Sequence, residues 1–344
     1  MNTGMPHWKP HVFAEKKPFL AVRRALRAVV REYFENQGFW EVETPILQAC
    51  PTFETHIHAF ETTLLGVDLQ PQGPRYLHTS PEYAMKKFLV AGVEAMYQLC
   101  PVYRNGEGSR LHSPEFTMLE WYRAHTDYHA MMEDCETLLK VCAEKLELPH
   151  LRFAGRACDP SRPFERLSVR AAFARYAKME LNIFLEDVEG FRAALIAQNI
   201  RMAEGDAWDD LFFRVMAEKI EPYLGMETPC ILHDYPAGLA PLSRRCASDP
   251  RYAERFEVYV CGVELANASS ELCDPLEQRR QYEAQMVEKS RLYGARYPLE
   301  EDFMAALEYG MPPSSGCALG FDRLVMLATN AERIDQVLWS GSSL

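Results

Sequence analysis

Two periodicities divide the chain. Apolar residues at Phe19, Val22, Leu26, Val29 or Val30, and Tyr33 or Phe34 follow a 3.6-residue repeat and predict a helix from about Phe19 to Gln37, with Gly38 as its stop. The next run, FWEVETPIL, alternates and reads as a strand interrupted by Pro45. A proline there points to a sheet edge, either an ordinary one or one where two subunits meet. RYLHTSPE leads into a helical run, AMKKFLVAG. FTMLEWY, rich in β-branched and aromatic residues, predicts a strand whose alternation places Phe116, Met118, Glu120 and Tyr122 on one face. A helix follows from Asp127, with Met131, Cys135, Leu138, Leu139, Cys142 and Leu146 as its buried stripe, and residues from about Leu148 to Phe164 read as loop. From Ser168 to Gly225 the pattern is mostly helical, with Ser168 and Asp206 or Asp209 as N-caps, and predicts a helical insertion between two halves of a sheet. PCILHDYP and RFEVYVCGVELAN read as strands, Pro275 starts a helix, EDFMAALEYG is helical, and SSGCALGFDRLVML is a small-residue strand running into an amphipathic helix. Strands and helices do not alternate regularly, so the expected class is α+β with an antiparallel sheet flanked by helices, not a doubly wound sheet.

Composition narrows the picture. With 344 residues and 48% hydrophobic content the chain can build a large core. A net charge of −12 argues against a protein that lives on long nucleic-acid duplexes, so any nucleic-acid contact is local. The ten cysteines show no CxxC pair and sit in apolar settings such as YQLCPVY and VYVCGVE, which reads as reduced core cysteine in a cytoplasmic protein. The N-terminus lacks the apolar block of a signal peptide, and no stretch is long and apolar enough to span a membrane.

Three blocks carry candidate chemistry. RNGEGSRLHSPEFTMLEWY joins Arg104 and a charged loop to a strand that presents an aromatic plate, a carboxylate and a phenol on one face, half of a pocket for a flat ring and a cation. In SSGCALGFDRL, Gly316, Ala318 and Gly320 let a ligand or a backbone approach closely, and Arg323 lies one turn into the helix, able to reach a phosphate or stack on a base. Its glycine spacing matches neither a P-loop nor a dinucleotide fingerprint, and tight strand–helix packing accounts for the small residues as well. In RFEVYVCGVELANASSEL, Glu257, Glu264 and Glu271 recur every seven residues. The β-rich VYV and Gly262 favour a strand–turn–strand over a heptad helix, and on that path the carboxylates can converge on Mg²⁺ or an ammonium, with Asn267 beside them. Together the blocks hold what activation of an amino acid by ATP requires.

These residues resemble the class II aminoacyl-tRNA synthetase catalytic domain, nearest to its lysyl branch. GFWEVETPIL looks like motif 1, with Pro45 at a dimer interface; YRNGEGSRLHSPEFTMLEWY like motif 2; SSGCALGFDRL like motif 3; and GVELANASSEL like the lysyl enzymes' metal- and lysine-binding segment. Residues 1–18 would form an N-terminal extension and 19–344 the catalytic domain, with the helical insertion around 168–225. That leaves no room for the anticodon-binding domain of a lysyl-tRNA synthetase, and Ala318 stands where motif 3 usually has glycine. Both traits are similar to the elongation factor P–(R)-β-lysine ligase family, a paralogue of the lysyl enzymes that lysylates a lysine of elongation factor P.

The resemblance implies roles for particular residues. Arg104 would hold the substrate carboxylate and the α-phosphate of ATP. Phe116 would stack on adenine, with Arg323 on its other side near the γ-phosphate. Asn105, Gly106, Glu107, Arg110, His112 and Ser113 would lie in the loop that meets ATP, and Leu265 and Gly320 would border the nucleotide. Ser80 and Glu82 would hold the amine near the reacting end, and Glu120, Tyr122 and Glu271 the side-chain ammonium. Asn267 would line the substrate pocket with Ala318, whose extra methyl would shape the choice between α- and β-amino isomers. Glu257 and Glu264 would hold Mg²⁺. The family's Arg-x-Glu pattern is broken by Gly106, so either Glu107 or backbone groups read adenine.

The expected activity is formation of a lysyl or (R)-β-lysyl adenylate and its transfer to elongation factor P, by a cytoplasmic homodimer. A truncated lysyl-tRNA synthetase is the first alternative, though the acidic charge and short N-terminus speak against tRNA as acceptor. A non-catalytic regulator is the second, and the retention of Arg104, Arg323 and the carboxylates speaks against it.

Overall fold

The computed structural model describes residues 8–340. In chain order its elements are α1 (Pro10–Asn36), β1 (Trp40–Glu41), β2 (Leu47–Gln48), β3 (Glu61–Leu65), β4 (Pro71–Leu77), α2 (Glu82–Val90), β5 (Ala95–Tyr103), β6 (Glu115–Ala124), α3 (Tyr128–Lys145), β7 (Leu151–Phe153), β8 (Arg156–Cys158) and β9 (Glu165–Ser168). Then come α4 (Val169–Ala172), α5 (Leu181–Phe184), α6 (Val188–Ala197), α7 (Trp208–Val215), β10 (Cys230–Pro236), β11 (Tyr252–Val260), β12 (Val263–Ser270), α8 (Pro275–Tyr293), α9 (Glu301–Gly310), β13 (Ser314–Gly320) and α10 (Phe321–Thr329).

Eight strands form the main sheet in the order β1-β5-β6-β13-β12-β11-β10-β9. The interior pairs are antiparallel, and only the two edge pairs, β1 with β5 and β9 with β10, are parallel. The fold is therefore α+β, as the irregular alternation indicated. One face of the sheet is covered by α1, α3 and α10, whose apolar stripes bury Leu26, Phe34, Met131, Leu138, Phe321 and Val325 against Trp121, Leu119 and Leu319. The other face stays open at its centre and forms the floor of a cavity. Segment 168–225 folds around its own aromatic core of Phe173, Phe191 and Phe212 and packs on Leu232 and Tyr235 of β10. All ten cysteines are free thiols, and nine are buried.

Several expected elements differ in detail. The first helix starts at Pro10, not Phe19, and carries Pro18 inside it. Its early turns are held by tertiary packing, with Phe13 stacked on Trp339 at 6.4 Å and Lys16 buried. FWEVETPIL is not one strand: Trp40–Glu41 pairs with β5, and after Pro45 Leu47–Gln48 joins a separate three-stranded sheet with β4 and β3. The stretch from Leu148 to Phe164 is not all loop, because β7 and β8 form a hairpin turning at Ala154 and Gly155, both with positive φ (50° and 79°). Ser168 caps α4, accepting from the Ala171 amide, but neither Asp206 nor Asp209 caps α7. Asp206 instead receives the Ala203 amide and the Arg214 guanidinium, while Asp210 receives the Ala207 amide ahead of the first turn.

A buried ion pair ties the helical layer to the sheet. Arg23 of α1 pairs with Asp322 in the first turn of α10 and donates to Thr117 Oγ1 at 2.7 Å. Asp322 also accepts the Thr117 amide of β6 at 2.7 Å. Asp322→Ala would strand a buried guanidinium, and removing one partner of such a pair typically costs about 3–5 kcal/mol. Urea unfolding should show a loss of that order; a loss no larger than a surface substitution gives would show that the pair does not hold the layers together.

Candidate active site

The cavity floor is built by cross-strand registry. Directly paired residues share a face of the sheet, so two rows of side chains run across five strands. One row is Gln98, Glu120, Ala318, Asn267 and Glu257; the next is Met96, Tyr122, Gly316, Ser269 and Arg255. On β13 the cavity-facing positions are Gly316, Ala318 and Gly320, while Cys317 and Leu319 point into the core. A Cβ at Gly316 would lie 2.2 Å from Tyr122 Cε1 and 2.7 Å from Glu271 Oε1, so the glycine is what allows these groups to meet above the strand. Along β12 simple alternation would put Glu264 on the face opposite Asn267. The register slips at Leu265, between the pairs Val258–Ala266 and Tyr259–Glu264, and this bulge returns Glu264 to the cavity side.

The cavity holds about 380 Å³. Its expected lining residues include Ser80, Glu82, Arg104, Glu107, His112, Phe116, Glu120, Tyr122, Glu257, Glu264, Leu265, Asn267, Glu271, Ala318, Gly320 and Arg323. The structure does not place Asn105, Gly106, Arg110 or Ser113 on its wall. The Asn105 amide is used in a bridge to the His58 carbonyl, Gly106 makes a positive-φ turn, the Arg110 carbonyl accepts the Ile334 amide, and Ser113 is buried beside the loop.

Acids gather toward the C-terminal end of β6. Glu120 accepts from Tyr122 Oη at 2.5 Å and from Ser80 Oγ at 2.9 Å. Glu82, at the start of α2, and Glu271, just beyond β12, both pair at 2.5 Å with the buried ammonium of Lys86. Lys86 went unremarked in the sequence, although its spacing from Glu82 is the ordinary helical ion-pair spacing. Burial alone would lower the Lys86 pKa, but Glu271 and Glu82 outweigh it and raise it, so Lys86 stays charged. Burial and the Glu82 charge push Glu120 up to about 8 in spite of its two hydroxyl donors. The arrangement is one fixed cation among three acids, with Glu120 protonated at neutral pH until another cation arrives.

Toward the N-terminal end of β6 the groups change. Phe116 lies six residues from Tyr122, roughly 20 Å along the strand at about 3.3 Å per residue. The Arg104 guanidinium sits 5.3 Å from the Phe116 ring centre. Arg323 donates to the Glu264 carbonyl and to His112 Nε2, each at 2.7 Å. Burial and the Arg323 charge lower the His112 pKa, leaving the ring neutral and able to accept that bond. Glu107 is 3.9 Å from His112.

The seven-residue glutamate series is divided between the two regions, so its members do not meet at one point. Glu257 is saturated internally, by Arg255 at 2.6 Å, Tyr235 at 2.5 Å and Tyr259 at 2.7 Å. Glu264 faces the cavity with its carboxylate 3.6 Å from Arg323. Glu221, from the helical segment, is pushed up to about 7 by burial and then by the charges of Glu257 and Glu264. Among the described residues no group of three metal-ligating side chains forms a cage. That donor set suits Mg²⁺, which takes one or two carboxylates and fills its remaining positions with water and phosphate oxygens. Glu264 fits as the direct ligand, whereas the Glu257 carboxylate is already taken up by Arg255 and two phenols.

The comparisons bear on this geometry. A family model described as tRNA synthetases class II (D, K and N) matches residues 12–340. The chain belongs to this family. The elongation factor P–(R)-β-lysine ligase of Edwardsiella ictaluri (strain 93-146) is 37% identical over 337 residues, covering 98% of this chain and 98% of the relative. The ligase of the same name from Salmonella arizonae is 37% identical over 332 residues, 96% of each chain. The class II sheet thus carries, on its open face, acids at one end and arginines at the other. Sequence reading missed Lys86, Arg255 and Glu54 on or beside this wall. Arg255 directly precedes the strand block FEVYV, whereas Glu54 lies in a loop with no periodic signal.

The Glu120 shift has a signed consequence. Its folded pKa lies above its ordinary 4.5, so its contribution to stability is complete below pH 4.5 and is lost as pH rises through about 8. Glu120→Gln should therefore be less stable than the parent at low pH relative to its standing at high pH, with the difference changing between those limits. Parallel denaturation curves across pH check this, and a constant difference would mean that Glu120 ionises normally.

Proposed function

We propose that this chain activates (R)-β-lysine, or lysine, as an adenylate with ATP and transfers it to a lysine side chain of elongation factor P. One observation carries the reading: a single cavity on a class II sheet puts a buried acid cluster and an arginine–aromatic cluster on one strand face, with Glu120 and Phe116 roughly 13 Å apart at about 3.3 Å per residue. That span suits a diamine joined to a nucleotide. The full-length similarity to two ligases of that name supports the choice of substrate and acceptor.

In this mechanism the substrate's side-chain ammonium enters between Glu120, Tyr122 and Glu271, and the second amine lies near Ser80 and Glu82. Binding of a cation there favours the ionised form of Glu120 and releases its proton. The substrate carboxylate attacks the α-phosphorus of ATP and pyrophosphate departs. Arg104 neutralises charge on the carboxylate and the phosphoryl oxygens, and fixed positioning supplies much of the remaining acceleration. Phe116 and Arg323 hold the nucleotide, and Glu107, which faces the cavity, takes the adenine-reading position in place of the Gly106 backbone. Mg²⁺ held by Glu264 would offset phosphate charge. The acceptor amine then attacks the adenylate carbonyl and AMP leaves. A cytoplasmic homodimer is part of this reading; Trp40, Ile46 and Leu47, around Pro45, are exposed apolar residues suited to a partner.

The test supplies ATP, Mg²⁺ and either α-lysine or (R)-β-lysine, then elongation factor P or tRNA. The expected outcome is a mass gain on elongation factor P with tRNA uncharged. Absence of pyrophosphate exchange with any amino acid would refute the reading. Ala318 stands between Glu120 and Asn267 on the cavity floor. Ala318→Gly should change the ratio of kcat/KM for the α and β isomers by about 10-fold, the scale expected of one methyl in a pocket. An unchanged ratio would remove this residue from isomer choice.

A further inference from the structure

The acceptor's lysine arrives as an ammonium and cannot attack until it loses a proton, and none of the groups assigned so far is free to take it. Glu82 and Glu271 hold Lys86, Glu120 is bound by two hydroxyls, and Glu257 is held by Arg255. Glu264 and Glu107 stand beside Arg323 and His112 at the nucleotide end. Asp322, also on the wall, is held by Arg23 and the Thr117 amide, which leaves Glu54, half-buried in the loop between β2 and β3. Among the described residues its carboxylate has no hydrogen-bonding or ion-pair partner.

Its position is nevertheless fixed. Lys289 of α8, buried beneath this loop, donates to the carbonyls of Glu54, Thr55 and Ile57 at 3.1, 2.9 and 2.6 Å. Gln285 on the same helix accepts the Thr55 amide at 3.1 Å, and Tyr297 Oη accepts the Ala59 amide at 2.8 Å. A loop so heavily tied by its backbone presents one unpaired carboxylate to the cavity. The charged groups that act on it are Arg104 at the end of β5, Glu82 of α2, Arg255 of β11 and Lys289 of α8. Burial and Glu82 raise its pKa, against the three cations, and thereby increase its basicity.

We infer that Glu54 is the general base of the transfer step, accepting a proton from the acceptor's ammonium group within the cavity. This rests on the function proposed above. The acceptor ammonium gives one proton to the Glu54 carboxylate. The freed lone pair forms the C–N bond to the adenylate carbonyl carbon. The bond from that carbon to the phosphate oxygen breaks, and its electron pair leaves on AMP. The second N–H proton passes to the AMP phosphate or to water as the amide forms.

The experiment compares the parent enzyme and Glu54→Gln, each loaded with ATP and (R)-β-lysine. It measures two rates: transfer to elongation factor P, and interception of the adenylate by hydroxylamine, an amine that needs no base at neutral pH. The ratio of protein transfer to interception should fall about 10²-fold or more near pH 7, the usual weight of a positioned base. It should recover as pH rises and the acceptor deprotonates in solution. Glu54→Asp should restore part of the ratio. An equal loss with both nucleophiles, or a loss of pyrophosphate exchange, would put Glu54 on the activated amino acid and overturn the inference, as would an unchanged ratio. If the parent itself exchanges no pyrophosphate, the proposed function fails first, and that failure is read before any variant is made.

Discussion

β13 must lie between β6 and β12 with almost nothing projecting from its cavity face, and the site depends on that constraint. Gly316, Ala318 and Gly320 occupy that face, while Cys317 and Leu319 anchor the strand in the core. Because the strand is bare, Tyr122 can lean across it to within contact of Glu271, and groups from β6, β12 and β11 share one open floor. A larger side chain at 316 would separate the phenol from the carboxylate it approaches. The ion pair of Arg23 with Asp322 holds the helix that follows this strand against β6, so the same junction fixes both the floor and the start of α10.

The cost of placing acids on a buried floor explains the rest of the design. Isolated buried carboxylates are expensive, and each is relieved differently. Lys86 pairs with both Glu82 and Glu271, Glu120 holds a proton, and Glu257 is bound by a guanidinium and two phenols. The result is a pocket that is short of one cation near Glu120 and crowded with donors near Arg323. Binding of an ammonium and of a phosphate therefore draws on opposite ends of one surface, and Glu54 lines the same cavity from the loop tied down by Lys289.

Much of this was readable before folding. Alternation along FTMLEWY correctly put Phe116, Glu120 and Tyr122 on one face, and the motif order pointed to the class II family that the comparisons establish. Other features had no local signal. Nothing in VELANASSEL announces that Leu265 bulges, yet without the slip Glu264 would face the core. FWEVETPIL reads as one strand because its alternation is continuous; the proline divides it between two sheets. Pro18 resembles a helix boundary, and packing of Phe13 on Trp339 carries the helix past it.

By itself, the sequence determined the chemical inventory and the strand faces, because side-chain type and a period of two are local properties. The tertiary structure alone decided which acids are engaged and which is free. Lys86 meets Glu271, Arg323 meets His112, and Lys289 meets the Glu54 loop across long stretches of chain. Ionisation and availability depend on those distant partners and on burial, and neither is encoded in any one segment.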